Sequence, residues 1–523
     1  MPLPSLLLLL ALRAPDTFIV TGTAVDHLQN RPLNYILVTL TSTQDRQLTV
    51  STITAADGRF GFNNVPAGKY SLSAQRRGNS QPQLYRQNDQ YSTAIAVGPG
   101  LASQNIVFPL EAPGSISGTV LDQNGEPAGA AQVWALHKTV SSGRPEIQIV
   151  GQNQVDRAGA FHLGHLAPGT YFIAVSARPW YARSFPQMAG QPNPELDVAY
   201  PITYYGDTTD AASASPVNLA EGGSAAIQIN LHAVPAAHVD LGASGPEQPH
   251  APPHLAAETM GGNTIPIAPN MVGVDGRAEL GGIAPGRYVL RTMDRNGQHS
   301  RFGPGARIDI TGNTSITAEN LKTTSLSGQL TFEGSARPPG QPFLRFSCGN
   351  RPFTMRILND GSLQSAGQFI QPGHCDVALA DASGFYLKSI AAGDATPSTD
   401  AVELTEGVDN HLVAVAAKGA MSELTGMTVQ NEQPLSSAMV LLLPEDPAHG
   451  SRIRRDQSDS DGTFKLSQIL PGRYILLAID NGKDLAYRDP AVIQPYLAQG
   501  TALEFPRQND GPLKVKVAVR RMN

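Results

Sequence analysis

The groups able to hold a metal or move a proton are twelve histidines, two cysteines and 44 Asp and Glu side chains. Their spacing gives them little to work with. A zinc hydrolase needs a closely spaced His and Glu with a distant second His, to fix the metal and polarise its water. No His-x-x-Glu occurs in the chain. In "HLGH", His162 and His165 fall in a strand pattern, where side chains three apart point to opposite faces. His250, His254 and Glu258 have helical spacing, but Pro252 and Pro253 argue against a helix there. "DQSDSDG" gathers Asp456, Asp459 and Asp461 before a turn, without the spacing or closing Glu of a calcium loop. There is no Gly-x-Ser-x-Gly elbow, and Gly-rich stretches such as "GGNTIP" open no helix that could cradle a phosphate. The chemistry expected is therefore non-catalytic, with no cofactor and no metal.

Two features remain as candidate sites. Cys348 closes the apolar stretch "PFLRFSC", and Cys375 stands where related stretches of the chain have Tyr. A disulfide between them would suit an oxidising compartment, and a pair of buried thiols is the alternative. The second is an aromatic-rich insertion from Ala177 to Thr209 holding Trp180, Tyr181, Phe185, Tyr200, Tyr204 and Tyr205. Flat rings there could stack on a glycan or form a protein contact, with Trp180, Tyr181, Tyr204 and Tyr205 as the contact residues. Burial against the sandwich edge or the next domain is the plainer reading.

The elements that would position these residues follow from bulk composition. A chain of 523 residues exceeds one core, and 51 Gly with 41 Pro suit many short strands joined by tight turns. Net charge is −6 without a basic block, so nucleic acid is not an expected partner. Leu6 to Leu12 forms an apolar run of signal-peptide length, far short of the roughly 20 residues of a membrane helix. Residues 1–15 are read as an export signal or its remnant, which points to a secreted, periplasmic or cell-surface protein with no transmembrane span.

One pattern recurs about every 100 residues, the period of whole domains in tandem. It reads "DGRFGFNNVPAGKYSL" from Asp57, "AGAFHLGHLAPGTYFI" from Ala158, "DGRAELGGIAPGRYVL" from Asp275, "DGSLQSAGQFIQPGHCDV" from Asp360 and "DGTFKLSQILPGRYILL" from Asp461. Asp-Gly and Pro-Gly supply turns and the alternation between them supplies strands, so the motif reads as a β-hairpin. Gly-centred openers precede four of the five: "VTGTAVD", "ISGTVLD", "LSGQLTF" and "LTGMTVQ". With closing strands after each motif, every unit has about seven strands and no convincing amphipathic helix. The prediction is an all-β tandem array of antiparallel β-sandwiches, transthyretin-like or immunoglobulin-like, over residues 16–111, 112–233 (with the insertion 177–209), 234–322, 323–418 and 419–523. Short joints such as "LEAPGS" and "VAAKGA" favour a semi-extended rod.

Gly-x-Val, a polar turn, Asp-Gly-x-Phe and then Pro-Gly-x-Tyr resembles the carboxypeptidase regulatory-like domain, as found in exported multi-domain proteins of soil bacteria. The resemblance implies a transthyretin-like sandwich, related in shape to Cna B-type and starch-binding-like modules, and it brings no catalytic residues. Some Cna B-type relatives carry a Lys–Asn isopeptide bond from the opening strand. The positions flanking the opener glycines here are Thr21, Thr23, Ser117, Thr119, Ser327, Gln329, Thr425 and Met427, none of them Lys. The expected role is a cell-envelope scaffold, spacer or adhesion module whose partner is an envelope or extracellular protein. The alternative is a glycan-binding protein that uses the insertion.

Overall fold

In the computed structural model, the two strands of the repeated motif do not pair with each other. Residues 16–521 are described apart from 79–80, 183–192, 242–250, 275–276, 297–298, 318–320, 335–336, 339, 350, 366–368, 420, 448 and 507–512; the N-terminal run and His250 thus lie outside the described residues. In the first repeat, Arg59–Pro66 pairs with the opening strand Thr17–Asp26, whereas Gly68–Gln75 pairs with Leu37–Ser42 in the facing sheet. The second repeat places Ala160–Leu166 on Gly114–Leu121 and Gly169–Ser176 on Gln132–Ser141. The fifth does the same with Thr463–Ile469 on Ser422–Gln430 and Gly472–Asp480 on Met439–Pro444. In the first three repeats the motif is thus a corner that carries the chain from one sheet to the other; in the fifth the two sheets are bridged by Leu513–Arg521, and in the fourth Leu363–Ser365 and Gly373–Ala380 lie in one five-stranded sheet. The corner is not a hairpin, because a sandwich must be crossed between its faces and the Pro and Gly of the motif mark where that crossing occurs.

Tyrosine closes the corner. Tyr70 Oη donates to Pro66 O at 2.9 Å, Tyr171 to Ala167 O at 2.6 Å, Tyr288 to Ala284 O at 2.5 Å and Tyr474 to Leu470 O at 2.9 Å. Each ring is buried in its own core, and each hydroxyl reaches back four residues across the turn. The Tyr in Pro-Gly-x-Tyr therefore satisfies a backbone carbonyl that the crossing would otherwise leave without a partner. Burial raises the phenol pKa at all four, to about 12 for Tyr171.

The opener glycines have a different cause. Gly22 lies opposite Phe60, Gly118 opposite Phe161 and Gly426 opposite Phe464. A Cβ on Gly22 would sit 2.4 Å from Ile106 O and 2.5 Å from the Phe60 ring; on Gly118 it would sit 2.1 Å from Ile227 O. The missing side chain lets a ring lie flat across the opener while the closing strand approaches from the other side. That closing strand runs parallel to the opener in all five repeats. This parallel pair is the one systematic departure from antiparallel pairing.

Hydrophobic clusters follow the repeats. They run from Val20 to Leu110, Ile116 to Leu231, Ala237 to Ile310, Leu326 to Ala416 and Leu424 to Phe505. Two more break the pattern. Trp134, Leu136, Ala174 and Tyr204 of the second repeat pack with Met260 and Ile265 of the third. In the fifth, Met439, Leu441, Leu477 and Ile479 bury the outer sheet face under a short helix, Pro490–Leu497, through Ile493. That helix was not expected. Its N-terminus is clear in hindsight, with Asp489 Oδ1 accepting from Ala491 N at 2.9 Å and Pro490 opening the turn, but Pro495 interrupts the periodicity.

Candidate functional site

The chain does not run out as a rod. Its last repeat returns to the first, the second and the fourth, and the densest polar cluster in the molecule lies where they meet. The corner strand of the first repeat presents Lys69, which pairs with Asp459 and donates to Thr463 Oγ1 at 2.7 Å. Alongside, Ala94 N donates to Asp459 Oδ1 at 3.1 Å, Ala96 N to Ser460 Oγ at 2.8 Å, and Ser460 N returns to Ala94 O at 2.9 Å. The edge of the Ile95–Val97 strand is thereby sealed by the turn of the fifth repeat. Gln457, 1% exposed, donates to Arg86 O and Thr93 Oγ1 at 2.7 and 2.9 Å. Arg455 lies 4.6 Å from the Tyr91 ring centre and 5.6 Å from that of Tyr487, a guanidinium held by aromatic faces from two repeats.

The three acidic residues of "DQSDSDG" are each engaged. Asp456 Oδ2 accepts from Lys465 N at 2.8 Å, Asp459 binds Lys69, and Asp461 Oδ1 accepts from Thr463. Burial pushes the Asp456 carboxyl up to about 6.

A second cluster joins four repeats. The hairpin tip of the second repeat inserts Ser142 to Arg144 between its neighbours. Ser142 N donates to Asp89 Oδ2 of the first repeat at 2.8 Å, and Ser142 O accepts from Arg488 Nε of the fifth at 2.9 Å. Arg144 pairs with Asp376 of the fourth, and Arg488 reaches the same Asp376 Oδ2 at 3.2 Å. One buried carboxylate thus holds two guanidinium groups from two other repeats, which compensates its desolvation. Ser451 and Arg452 of the fifth repeat add bonds to Asp400 Oδ2 and Thr399 Oγ1 of the fourth, at 2.7 and 3.0 Å.

Between the second and third repeats, His238 is held by two carboxylates: Nε2 to Asp197 Oδ2 at 2.8 Å and Nδ1 to Glu279 Oε1 at 2.6 Å. Bonding through both ring nitrogens to acceptors calls for the imidazolium form. Burial alone lowers its pKa, but the bonds to Asp197 and Glu279 outweigh burial and raise it. A pocket of about 270 Å³ lies nearby, lined by Pro201, Ile202, Tyr204, Gly286, Arg287 and Tyr288. Among the described residues no group of three or more His, Cys, Asp or Glu is placed to hold a metal ion.

Of the expected site residues, Cys348 and Cys375 form a disulfide between directly opposed residues of neighbouring strands. The aromatic candidates do not share one surface. Trp180 is 81% exposed and meets Tyr181 edge-on at 5.8 Å, while Tyr181 Oη accepts from Gln123 Nε2 at 2.7 Å. Tyr204 is 2% exposed and belongs to the core between repeats two and three, so it presents no face to a ligand. Tyr205 packs against the core of the second repeat, and Tyr200 is buried beside it. Phe185 lies outside the described residues. The residues that sequence reading missed are Lys69, Arg144, Asp376, Arg455 and Arg488. Lys69 and Asp376 lie on inner strands, Arg144 and Arg455 on edge strands and Arg488 in a turn, and the partner of each is 112 or more positions away in the chain.

The opener glycine, the ring above it and the tyrosine-closed corner together define a module. The first repeat matches the carboxypeptidase regulatory-like domain over residues 19–103. No curated protein matches the sequence. Among solved structures, the minor pilin GBS52 of Streptococcus agalactiae aligns at 15% identity, covering 44% of this chain and 99% of that one, with a TM-score of 0.23. The shaft pilin SpaA of Lactobacillus rhamnosus GG aligns at 10% identity over 45% and 100%, with a TM-score of 0.19. The major pilin subunit BcpA of Bacillus cereus aligns at 10% over 78% and 99%, at 0.15. TM-scores this low carry no argument about the role of this chain. No helix among the described residues is long and apolar enough to cross a membrane.

Proposed function

We propose that the chain is an exported, non-catalytic scaffold or adhesion protein of the cell envelope, with five β-sandwich domains that work as one clamped body and an envelope or extracellular protein as partner. The observation that carries this reading is the fate of its charged side chains. Those that an enzyme would gather in a cleft are spent here between repeats: Asp376 on Arg144 and Arg488, Asp459 on Lys69, and His238 on Asp197 and Glu279. The disulfide supports an oxidising compartment, since such bonds persist outside the cytosol. A spacer role fits less well than a scaffold, because a spacer gains nothing by folding its last domain onto its first. The glycan reading loses its platform with the burial of Tyr204.

Small-angle scattering of the full chain is the direct test. A compact chain of this length has a radius of gyration of about 25 Å, and five sandwiches in a line would give roughly twice that. The clamped form is expected near the smaller value, and Asp376→Ala is expected to shift it upward. An extended profile for the unmodified chain would remove the basis of the proposal.

A further inference from the structure

The two edges of one sheet in the first repeat are treated in opposite ways. The Ile95–Val97 edge is sealed by Asp459 and Ser460 of the fifth repeat. At the other edge lies Thr49–Ile53, which pairs only with Leu37–Ser42. Edge strands are normally blunted by charge, by Pro or by cover, because their unpaired backbone groups template further pairing. This strand has none of the three. From Gln47 to Ala56 there is no charged residue and no Pro. Among the described residues, no hydrogen bond or ion pair from another repeat reaches residues 48–54. Apolar side chains are exposed on it and beside it: Leu48 and Val50 at 50%, Ile53 at 60% and Leu37 at 41%. Other edges are guarded. Arg454–Gln457 is short, charged and covered by the first repeat, Thr264–Ile267 contains Pro266, and Arg144–Gln154 is met by Asn263, whose Nδ2 donates to Ile147 O at 2.6 Å.

The hydrogen-bond pattern fixes what this edge can accept. Thr54 N bonds Ile36 O and Ser42 N bonds Leu48 O, so even-numbered residues of the strand face Leu37–Ser42. The odd-numbered residues turn their N–H and C=O groups outward. Thr49 N is already given to Gln47 O and Ala55 N to Arg59 O. Ser51 and Ile53 are left with both groups directed away from the sheet.

We infer that Thr49–Ile53 is a self-association edge, on which a second copy of this chain adds antiparallel about a two-fold axis through Thr52. Self-pairing in this register sets Ser51 opposite the partner's Ile53 and the reverse, giving four backbone hydrogen bonds from the four outward donors. The flanks favour a second copy over an unrelated strand. Asp45 and Arg46 lie at one end and Asp57 and Arg59 at the other, all exposed. The two-fold axis brings the Asp45–Arg46 end of each copy to the Asp57–Arg59 end of its mate, so opposite charges meet. The paired edges join two sheets into one across the molecule, and Leu37, Val50 and Ile53 lose exposed surface on its faces.

The full chain is tested by sedimentation velocity from about 1 to 100 µM, where a weak edge contact should populate both monomer and dimer. Ser51→Lys sets a charge opposite the mate's Ile53 and Ile53→Lys sets one opposite Ser51, each also bringing two like charges to diagonal positions across the pair, and both are expected to raise the dimer Kd by about tenfold or more. Both sites are exposed, so an unchanged circular dichroism spectrum shows that the fold is kept. Thr52→Cys is expected to form a covalent dimer on oxidation, since the two Thr52 residues are opposed in a close non-hydrogen-bonded pair. Thr49→Cys is not. A monomer at every concentration overturns the inference, as does a dimer that persists in both Lys variants and is not trapped through Thr52→Cys.

Discussion

The second and fourth repeats hold the same Pro-Gly turn by different chemistry, and only in the second does that turn cross between sheets. In the second, Tyr171 fills the core and its hydroxyl reaches Ala167 O. In the fourth, Cys375 occupies the Tyr position and its sulfur is bonded to Cys348. The fourth repeat is also weaker elsewhere. Its opener, Ser325–Phe332, meets the segment around Asp-Gly through an isolated bridge, Gln329 to Ser362, and Leu330 N to Gly361 O at 2.8 Å, where the second repeat has a ladder from Thr119 to Gly114. The difference teaches that the Pro-Gly turn can be held by either kind of lock. A covalent lock restrains the unfolded chain over a separation of 27 residues, while a hydrogen bond contributes only in the folded state.

What the two repeats share should be the hardest to remove. Gly118 and Gly328 each leave 2.1 Å between a built Cβ and a carbonyl of the closing strand, Ile227 O and Leu412 O. That atom is backbone, so it cannot swing aside. Gly118→Val is expected to cost about 3 kcal/mol or more and to unfold the second repeat at growth temperature. Hydrogen exchange should show protection lost across Gly114–Leu121 and Ser224–Asn230. Retained protection would mean that the parallel pair can open without harm, and the opener glycine would lose its explanation.

Next in size is the lock of the fourth repeat. Reducing it, or making the Cys348→Ala, Cys375→Ala double variant, is expected to remove about 3 kcal/mol from that repeat alone. In calorimetry one transition should move to lower temperature with reductant while the others stay. A uniform shift of all transitions would show that the clamp at Asp376, one residue from Cys375, couples the repeats too tightly for any of them to unfold alone.

These expectations also mark how far the sequence could be read. Five copies of the motif, four with Asp-Gly and four with Pro-Gly, made the tandem sandwiches legible, and Cys375 at the Tyr position pointed to its partner. Pairing was not legible, because an alternating strand, a turn and another alternating strand look the same whether they fold back in one sheet or cross between two. What decides is the Tyr hydroxyl reaching back four residues, a contact that periodicity does not carry. Closure of the chain was still less visible. Asp459 reads as a turn residue and Lys69 as an exposed strand residue, and nothing within either repeat marks them as a pair. The aromatic insertion stays open in the sequence for a related reason: Tyr204 is there to fill the seam with Met260 and Ile265, as the plainer reading has it, but composition alone cannot separate a seam from a platform.

The smallest expected effect is the most diagnostic. Tyr171→Phe keeps the ring in the core and deletes only the hydroxyl, so packing around Ile173 and Leu219 is unchanged. What is lost is one donor to Ala167 O, worth about 1 kcal/mol net, and that carbonyl must then find water in a partly buried turn. The loss should appear as faster exchange confined to Gly169–Ser176, at the head of the strand that leaves the corner. In the fourth repeat no such position exists, and Cys375→Tyr with Cys348→Ala should recover part of the stability that the double Ala variant loses, provided the ring finds the space left by the sulfurs. Failure of that exchange, with Tyr171→Phe also silent, would show that the corner holds by its Pro-Gly geometry alone and that neither lock contributes.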